Sequence, residues 1–299
     1  MAMNIEVLRT FLEVVETGSL VRAAGRLHVT QSTVTARINN LEADVGQKLI
    51  HRSKSGAELT STGFKFQRYA EAIVQLWRQA RYETSLPKNF VGACNLGYDF
   101  DLWKAAGEHL LDDLRENYPD VAVAAWPGEQ HQLDRWLTTG LIDVALCYAP
   151  QARDPFLAHA LFEDQMILVS TTKRPYKHWD PEYVYVDHGD EFRRQHATAY
   201  SAMETAAVTI GSSNWALDFL MRQGGSGYLP LRYMRHLLEQ ARLFRVEKAP
   251  VFKRSVYIIE NAMTTRHWPW FAEAVSRLRA KVSGLDPIGD ASPSAATTP

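Results

Sequence analysis

Two short amphipathic stripes joined by a two-residue turn, all within residues 19–45, restrict this chain more than any other feature. Leu20, Ala23, Ala24 and Leu27 form the first stripe; Val34, Ile38, Leu41 and Val45, at steps of four, three and four, form the second. Ser19 stands at a helix N-cap position before the first and Thr30 before the second, with His28-Val29 as the turn between them. Ala23 and Ala24 are small enough for another helix to approach closely. Ahead of them Ile5, Leu8, Phe11, Leu12 and Val15 fall at helical spacing, and Thr17-Gly18 closes that first helix. The pattern is that of a helix-turn-helix. The face of the third helix opposite its stripe carries Gln31, Ser32, Thr33, Thr35, Ala36, Arg37 and Asn40. Short hydroxyls near a helix start suit phosphates and bases, amides pair adenine and guanidinium pairs guanine, so this face has what a major-groove reader needs. A plain three-helix bundle with a polar outer face satisfies the same pattern.

Charge taken alone reads as a solvated surface, although its distribution suggests a polyanion partner for one part of the chain only. The net charge is -1, which excludes a uniformly basic coat protein. Residues 1–90 nevertheless hold twelve Lys and Arg against eight Asp and Glu. Within 18–65, Arg22, Arg26, Arg37, Lys48, Arg52, Lys54 and Lys65 face only Glu42, Asp44 and Glu58. The segment LIHRSKSGAELTSTG reads as a two-stranded hairpin whose tip carries Arg52 and Lys54, a basic wing suited to phosphate contacts. Thr60 or Thr62 then caps a long helix with Phe64, Tyr69, Ile73, Leu76, Trp77 and Ala80, stopped near Pro87. That helix has more apolar surface than a lone linker should expose; a second copy, or the chain's own C-terminal part, would cover it.

Beyond residue 90 strands alternate with helices, which indicates an α/β domain with a mainly parallel sheet. Strands are expected at 91–98, 121–126, 141–148 and in QMILVS, YVYV, AAVTI, GYLP and RSVYII. Helices are expected from Asp101 to about Asn117, from Gln130 to Thr139, from about Glu191, from Asn214, near Leu231 and over Trp268–Val282. The tail SGLDPIGDASPSAATTP is rich in Ser, Pro, Ala and Thr and reads as disordered.

The run from Ile5 to Gly63 resembles, without a gap, the N-terminal domain of the LysR-type transcriptional regulators: LRTFLEVVETGSL, then AAGRLHVTQSTVTARINNLE, then a wing ending in LTSTG. The whole chain is similar to that family in length and order. The resemblance implies a winged helix-turn-helix over 1–63, a linker and dimerisation helix over 64–87, and a periplasmic-binding-protein-like effector domain. The latter would have one subdomain of 91–162 plus 263–282 and a second of 163–262, with crossovers near 162 and 263; 283–299 would be tail. It places DNA-facing positions on Thr30, Gln31, Ser32, Thr35, Ala36, Arg37 and Arg52. Ser32 stands where the family often has Pro, Ala36 where many members have a long Arg or Gln, and Ile50 where Phe is usual. The Ala36 departure removes one potential base contact, so a relative's operator preference does not transfer. Around VYVDHGDEFRRQHA and GSSNWALDFL the chain looks most like a branch with repressors of flagellar genes. The implied partners are double-stranded DNA, a small-molecule effector, a homodimer or dimer of dimers, and RNA polymerase.

Ligands in open α/β sheets sit beyond the carboxyl ends of strands, against helix N-termini. That rule selects Tyr98, Asp99, Trp126 and Tyr148 in the first series, and Asp187, Gly189, Ser212, Ser213, Gly225 and Tyr228 in the second; the family's effector cleft selects the same loops. Core or rim packing is the plain alternative for each aromatic, and N-capping for Ser212 and Ser213. Asp99 and Asp101, with Asp187 and Asp190 in a facing loop, would repel a bare acidic effector. A neutral or cationic effector, or none, is therefore expected.

Little else points to chemistry. No GxSxG elbow, HExxH, P-loop or GxGxxG is present, so no enzyme, cofactor or metal is expected. His178, His188, His196, His236 and His267 are scattered and read as solvated or capping. Cys94 and Cys147 form no CxxC pair and read as buried and inert, with a redox-sensing pair as the alternative that the family also uses. No apolar run approaches a membrane span, and Glu6, Glu13 and Glu16 interrupt any secretory h-region, so a cytoplasmic protein without membrane contact is expected. The alternative function is a solute-binding or hydrolytic α/β protein whose helical N-terminus serves assembly only.

Overall fold

Why the first sixty residues form separate short helices is visible in their ends. In the computed structural model, which describes residues 4–53, 56–150, 153–177, 180–200 and 205–283, each helix of this region is stopped or started by a named residue. Helix α1 (Ile5–Thr17) ends on Gly18 at φ 61°. Ser19 accepts from the Arg22 amide to start α2 (Leu20–Arg26). Thr30 accepts from the Thr33 amide at 3.2 Å to start α3 (Gln31–Val45). Leu8, Phe11, Val14, Ala23, Ala24, Val34, Ile38 and Leu41 meet in one core. Each large apolar side chain there contributes about 1.5–3 kcal/mol.

The wing is a hairpin of β1 (Ile50–Ser53) and β2 (Gly56–Leu59), in register from Ile50↔Leu59 to Ser53↔Gly56. Its inner end is tied to α3 by a residue that the charge pattern alone does not single out. The buried Glu42 carboxylate accepts from the Leu49 amide at 2.9 Å, the Ile50 amide at 3.1 Å and Lys48 Nζ at 2.6 Å. Burial raises this carboxyl's pKa, but those three donors outweigh it and hold the group below its ordinary value. Its outer strand is tied to α1, since the Ala57 amide donates to the Gly18 carbonyl at 2.9 Å. Thr60, not Thr62, caps α4 (Ser61–Thr84) by accepting from the Gly63 amide at 2.9 Å. Gly63 is required there: a Cβ would lie 2.0 Å from the Leu49 carbonyl oxygen. Ala70 and Val74 of α4 enter the core and Phe66 sets its edge against Phe11. Phe64, Tyr69, Leu76, Trp77 and Tyr82 remain exposed.

A second compact unit begins at Val91. Its strands are β3 (Gly92–Tyr98), β4 (Val121–Pro127), β5 (Val144–Cys147), β6 (Phe156–Ser170), β7 (Tyr183–Val186), β8 (Val208–Ile210), β9 (Ser226–Pro230), β10 (Phe244–Arg245) and β11 (Phe252–Asn261). They form one sheet in the order β4-β3-β5-β11-β6-β9-β7-β8, with β10 beside β6. The helices are α5 (Glu108–Asn117), α6 (Gln130–Thr139), α7 (Asp190–Ala199), α8 (Ser213–Gln223), α9 (Leu231–Glu239), α10 (Ala262–Thr265) and α11 (Phe271–Ser283). One group of parallel strands, β3, β4 and β5, packs on α5 and α11; another, β7, β8 and β9, packs on α8 and α9. Among the described residues, only the long antiparallel pair β6 and β11 runs through both halves.

Three sequence expectations change. The strand expected as QMILVS starts nine residues earlier, at Phe156, because its first part pairs β11 in the other half. Asp101 does not cap the helix after β3. Asp99 does, accepting from the Asp101 amide at 3.0 Å, and a 3-10 turn (Phe100–Leu102) and a π turn (Trp103–Gly107) precede α5. The second crossing falls in β11 between Phe252, in one core, and Val256, in the other, rather than near 263.

Candidate nucleic-acid interface and ligand cleft

On the helical unit, the sequence-selected side chains of α3 are placed unequally. Gln31, Ser32, Ala36 and Asn40 are exposed, whereas Thr33, Thr35 and Arg37 are half-buried. The hydroxyls of Thr30, Ser32 and Thr33 form one cluster, with Thr30 Oγ 2.8 Å from each of the other two. Arg37 reaches back to α1, where Nη1 donates to Thr10 Oγ at 3.0 Å. Arg52 on the wing is exposed and donates from Nη2 to Asn39 Oδ1 at 2.8 Å, tying wing to helix. Lys54 lies outside the described residues. Some of the local positive charge is compensated: Arg26 pairs with Glu13 and Glu16 at 3.0 and 2.8 Å. Arg22, Arg37 and Arg52 have neutral partners and keep theirs.

In the α/β unit a buried polar cluster lies between the two halves, where β6 and β11 cross. Asp101, from the loop after β3, reaches the start of α8. Ser213 donates to it from its amide at 3.1 Å and from Oγ at 2.5 Å. Tyr233, on α9, donates to the Asp101 carbonyl at 2.7 Å. His188, after β7, uses Nε2–H on the Tyr228 carbonyl at 2.9 Å, leaving Nδ1 3.8 Å from Asp101 Oδ2. Burial raises the Asp101 pKa, but His188 and Ser213 hold the carboxyl below its ordinary value. Asp99, close by, is pushed up to about 6 by burial and by the charge of Asp101.

One rung beyond, Asp164 of β6 faces Arg254 of β11 in register. Asp164 accepts from Arg232 Nε at 3.2 Å and from the Tyr148 hydroxyl at 3.2 Å. Arg254 is buried with its guanidinium 3.4 Å from the centre of the Tyr148 ring, and Arg232 stacks 3.5 Å over Phe162. Among the described residues, His188 Nδ1, Arg232 Nη1 and Arg254 Nε are buried and have no hydrogen-bond partner. Leaving such polar atoms unpaired costs about 1–3 kcal/mol each.

Of the ten positions selected from sequence, Asp99, Tyr148, Gly189, Ser213 and, through its carbonyl, Tyr228 belong to this cluster or border it; a Cβ on Gly189 would lie 3.7 Å from Arg254 Nη2. Tyr98 is half-buried against Trp103, Trp126 is exposed, and Ser212 stands at the N-cap of α8 without a side-chain bond. Asp187 is turned to Gly189 N and Arg193, and Asp190 also pairs with Arg193, so neither charges the cleft as expected. Tyr228, which pairs Leu168 in the middle of β9, borders the cluster through its carbonyl, which accepts from His188. Gly225 is placed differently from expectation: it precedes β9, whose first residue Ser226 pairs Ser170, six residues along β6 from Asp164. That is about 20 Å of strand. A Cβ on Gly225 would meet the Glu182 carbonyl at 2.5 Å, and Tyr228 is wholly buried with its hydroxyl on Tyr200 and Pro250.

Sequence reasoning missed Arg232, Tyr233, Arg254, Asp164 and His188. A signal was present for two of them. Arg254 shares the period-two inward face of Phe252, Val256 and Ile258, and Asp164 that of Phe162, Met166 and Leu168. His188 and His196 are buried rather than solvated, and burial pushes His196 down to about 4. Cys94 and Cys147 face different cores on adjacent strands whose register sets Leu96 beside Val144, so they do not meet. Burial raises both thiols, Cys147 to about 12. Among the described residues no group of three or more His, Cys, Asp or Glu could hold a metal ion, and no helix is long and apolar enough to cross a membrane.

Residues 5–64 match the bacterial regulatory helix-turn-helix protein, lysR family, and residues 108–262 match the LysR substrate binding domain. The chain belongs to the LysR family. It is therefore a DNA-binding transcriptional regulator with a ligand-binding domain, and the family is one of regulators, not enzymes. Among LysR regulators it is similar to the HTH-type transcriptional regulator HdfR of Escherichia fergusonii. The two are 26% identical over 292 residues, 96% of this chain and 100% of that one. HdfR of Escherichia coli O45:K1 is 27% identical over 263 residues, 86% of this chain and 91% of that one. The solved structure of CbnR, a LysR family transcriptional regulator, superposes with a TM-score of 0.68 at 19% identity, covering 96% of this chain and 100% of CbnR. Vibrio fischeri DarR in complex with DNA gives 0.56 at 17% identity, covering 96% and 100%. These likenesses carry the fold.

Proposed function

We propose that this LysR regulator reads duplex DNA with the exposed side of α3 and grips the flanking phosphates with the wing. Gln31, Ser32 and Asn40 would contact base edges, with Arg37 joining them once it leaves Thr10. Thr30, Thr33, Thr35 and Arg52 would contact backbone, Lys54 would extend the wing's reach, and Ala36 would leave space beside a thymine methyl. The carrying observation is the exposure of Gln31, Ser32, Ala36 and Asn40 on one face of a helix whose other face is wholly committed to the core. Two copies joined through the apolar stripe of α4 would read a dyad-symmetric site, and a dimer of dimers would follow from further contacts between effector domains. The two halves of the α/β unit act as the effector subdomains. A ligand between them shifts their relation and thereby the bend of the DNA. RNA polymerase is the further partner such bending would serve, in the cytoplasm. Targets among flagellar genes fit the likeness of 184–197 and 211–220 to that branch.

Footprinting on the DNA upstream of the chain's own gene, at two salt concentrations, tests the reading. Replacing Gln31 and Arg37 by Ala should lower sequence selectivity by about 1–3 kcal/mol for each base edge no longer read, while leaving the salt slope nearly unchanged. Unaltered selectivity would refute it.

A further inference from the structure

We propose that the ligand cleft is already filled by the chain's own Asp101, a tethered carboxylate that closes the two halves and that an incoming carboxylate must displace. The inference rests on the reading of this cleft as the effector site. Asp101 belongs to the half built on β3 and its partners Ser213, His188 and Tyr233 to the other, so their contacts span the divide. The amide and hydroxyl of Ser213 open α8, an eleven-residue helix, and offer what a helix N-terminus offers any anion: an unspent N–H and the positive end of the dipole. A carboxylate of the protein itself holds that place.

A further observation points to a ligand beyond Asp101. The buried Arg254 has a free Nε–H, and the less buried Arg232 a free Nη1–H, in the same cluster. These are donors that the tethered carboxylate does not use. Exchange of one carboxylate for another leaves the charge of the site unchanged, so the acidic residues here do not exclude an acidic ligand. This reverses the expectation of a neutral or cationic effector. The ligand is a small carboxylate anion, its oxygens on the amide and hydroxyl of Ser213 and its remainder toward Arg254 and the Tyr148 ring. Asp101, once expelled, leaves the halves free to move.

Thermal melting of the full-length Asp101→Ala protein, with sodium acetate as probe and chloride at matched ionic strength, tests this. Without acetate the Tm should fall by roughly 5 °C. Acetate should restore it saturably in Asp101→Ala, should not do so in Asp101→Ala with Ser213→Ala, and should leave the parent protein unmoved at the same concentration. Absence of selective rescue, or equal response of parent and variant, overturns the proposal. If Asp101→Ala does not fold in chloride, its refolding in acetate serves: recovery of folded protein in acetate but not in chloride is expected, and equal failure in both would overturn the idea equally. A gel shift run on the same samples separates the two levels. Rescue of Tm with no change in DNA affinity or bending upholds the tethered carboxylate and refutes the effector reading beneath it.

Discussion

The polar residues of the helical unit act close to home, whereas those of the cleft act at long range. Thr30 bonds the amide three residues on, and Glu42 those seven and eight residues on. Asp101 bonds residues 112 and 132 positions away, and Arg232 bonds Asp164 across 68. The first kind of contact sets a helix end or a turn and then stops mattering elsewhere. The second exists only when both halves of the α/β unit are in place. A surface meant to meet a rigid, repetitive partner is built from local rules. A cleft meant to respond is built from contacts that local rules do not secure.

The largest effect that would break this contrast lies in the helical unit. Glu42→Ala leaves the buried amides of Leu49 and Ile50 unpaired and should cost about 2–4 kcal/mol, read as denaturant midpoint, with DNA affinity falling as the wing loses its footing. A loss below about 0.5 kcal/mol would show that the wing does not depend on this anchor.

How far the sequence reached follows the same division. Caps at Ser19 and Thr30 and the stripes of α1 and α3 were legible because helix ends and periodicity are written within a few residues, while Thr60 was one of two candidates for α4. Strand identity in the α/β unit was legible too, but not its extent: FLAHALFED has no clean alternation to announce the front of β6, which tertiary pairing with β11 imposes. Ser213 and Tyr148 are reached by the rule that ligands gather at carboxyl ends of strands. The same rule selects Gly225 and Tyr228, although the carboxyl end of β9 is Pro230, with Arg232 and Tyr233 beyond it. Arg254 escapes because an arginine in a strand reads as solvent-facing unless its parity is checked.

A middle-sized effect sharpens the comparison within the α/β unit. His196 is buried among Tyr183, Phe192, Tyr200 and Tyr228, with Nε2 2.9 Å from the Tyr183 hydroxyl. Its pKa falls from 6.5 to about 4 on folding. The unfolded chain therefore binds the proton first. Stability should decline as pH falls from about 6.5 toward 4 and level off below, by about 2–3 kcal/mol at most. Melting curves between pH 7 and 4 check this, and His196→Asn should flatten that limb.

The smallest effect concerns the cleft itself. Asp99 rises from 3.8 to about 6, so its ionised form is the costly one. Its contribution is fully present below about pH 4 and lost as pH rises through 6. Asp99→Asn should therefore stabilise the protein by about 1 kcal/mol at pH 8 and leave it unchanged at pH 3.5. Equal effects at both pH values would remove the like-charge account of Asp99 and Asp101.

The rung Asp164↔Arg254 sits on the two long strands that run through both halves. Arg254 is at once a lining group of the cleft and a backbone position of the strap about which the halves would swing. A molecule that tugs on its guanidinium therefore tugs on the pivot, and detection and motion share one residue with no relay of side chains between them.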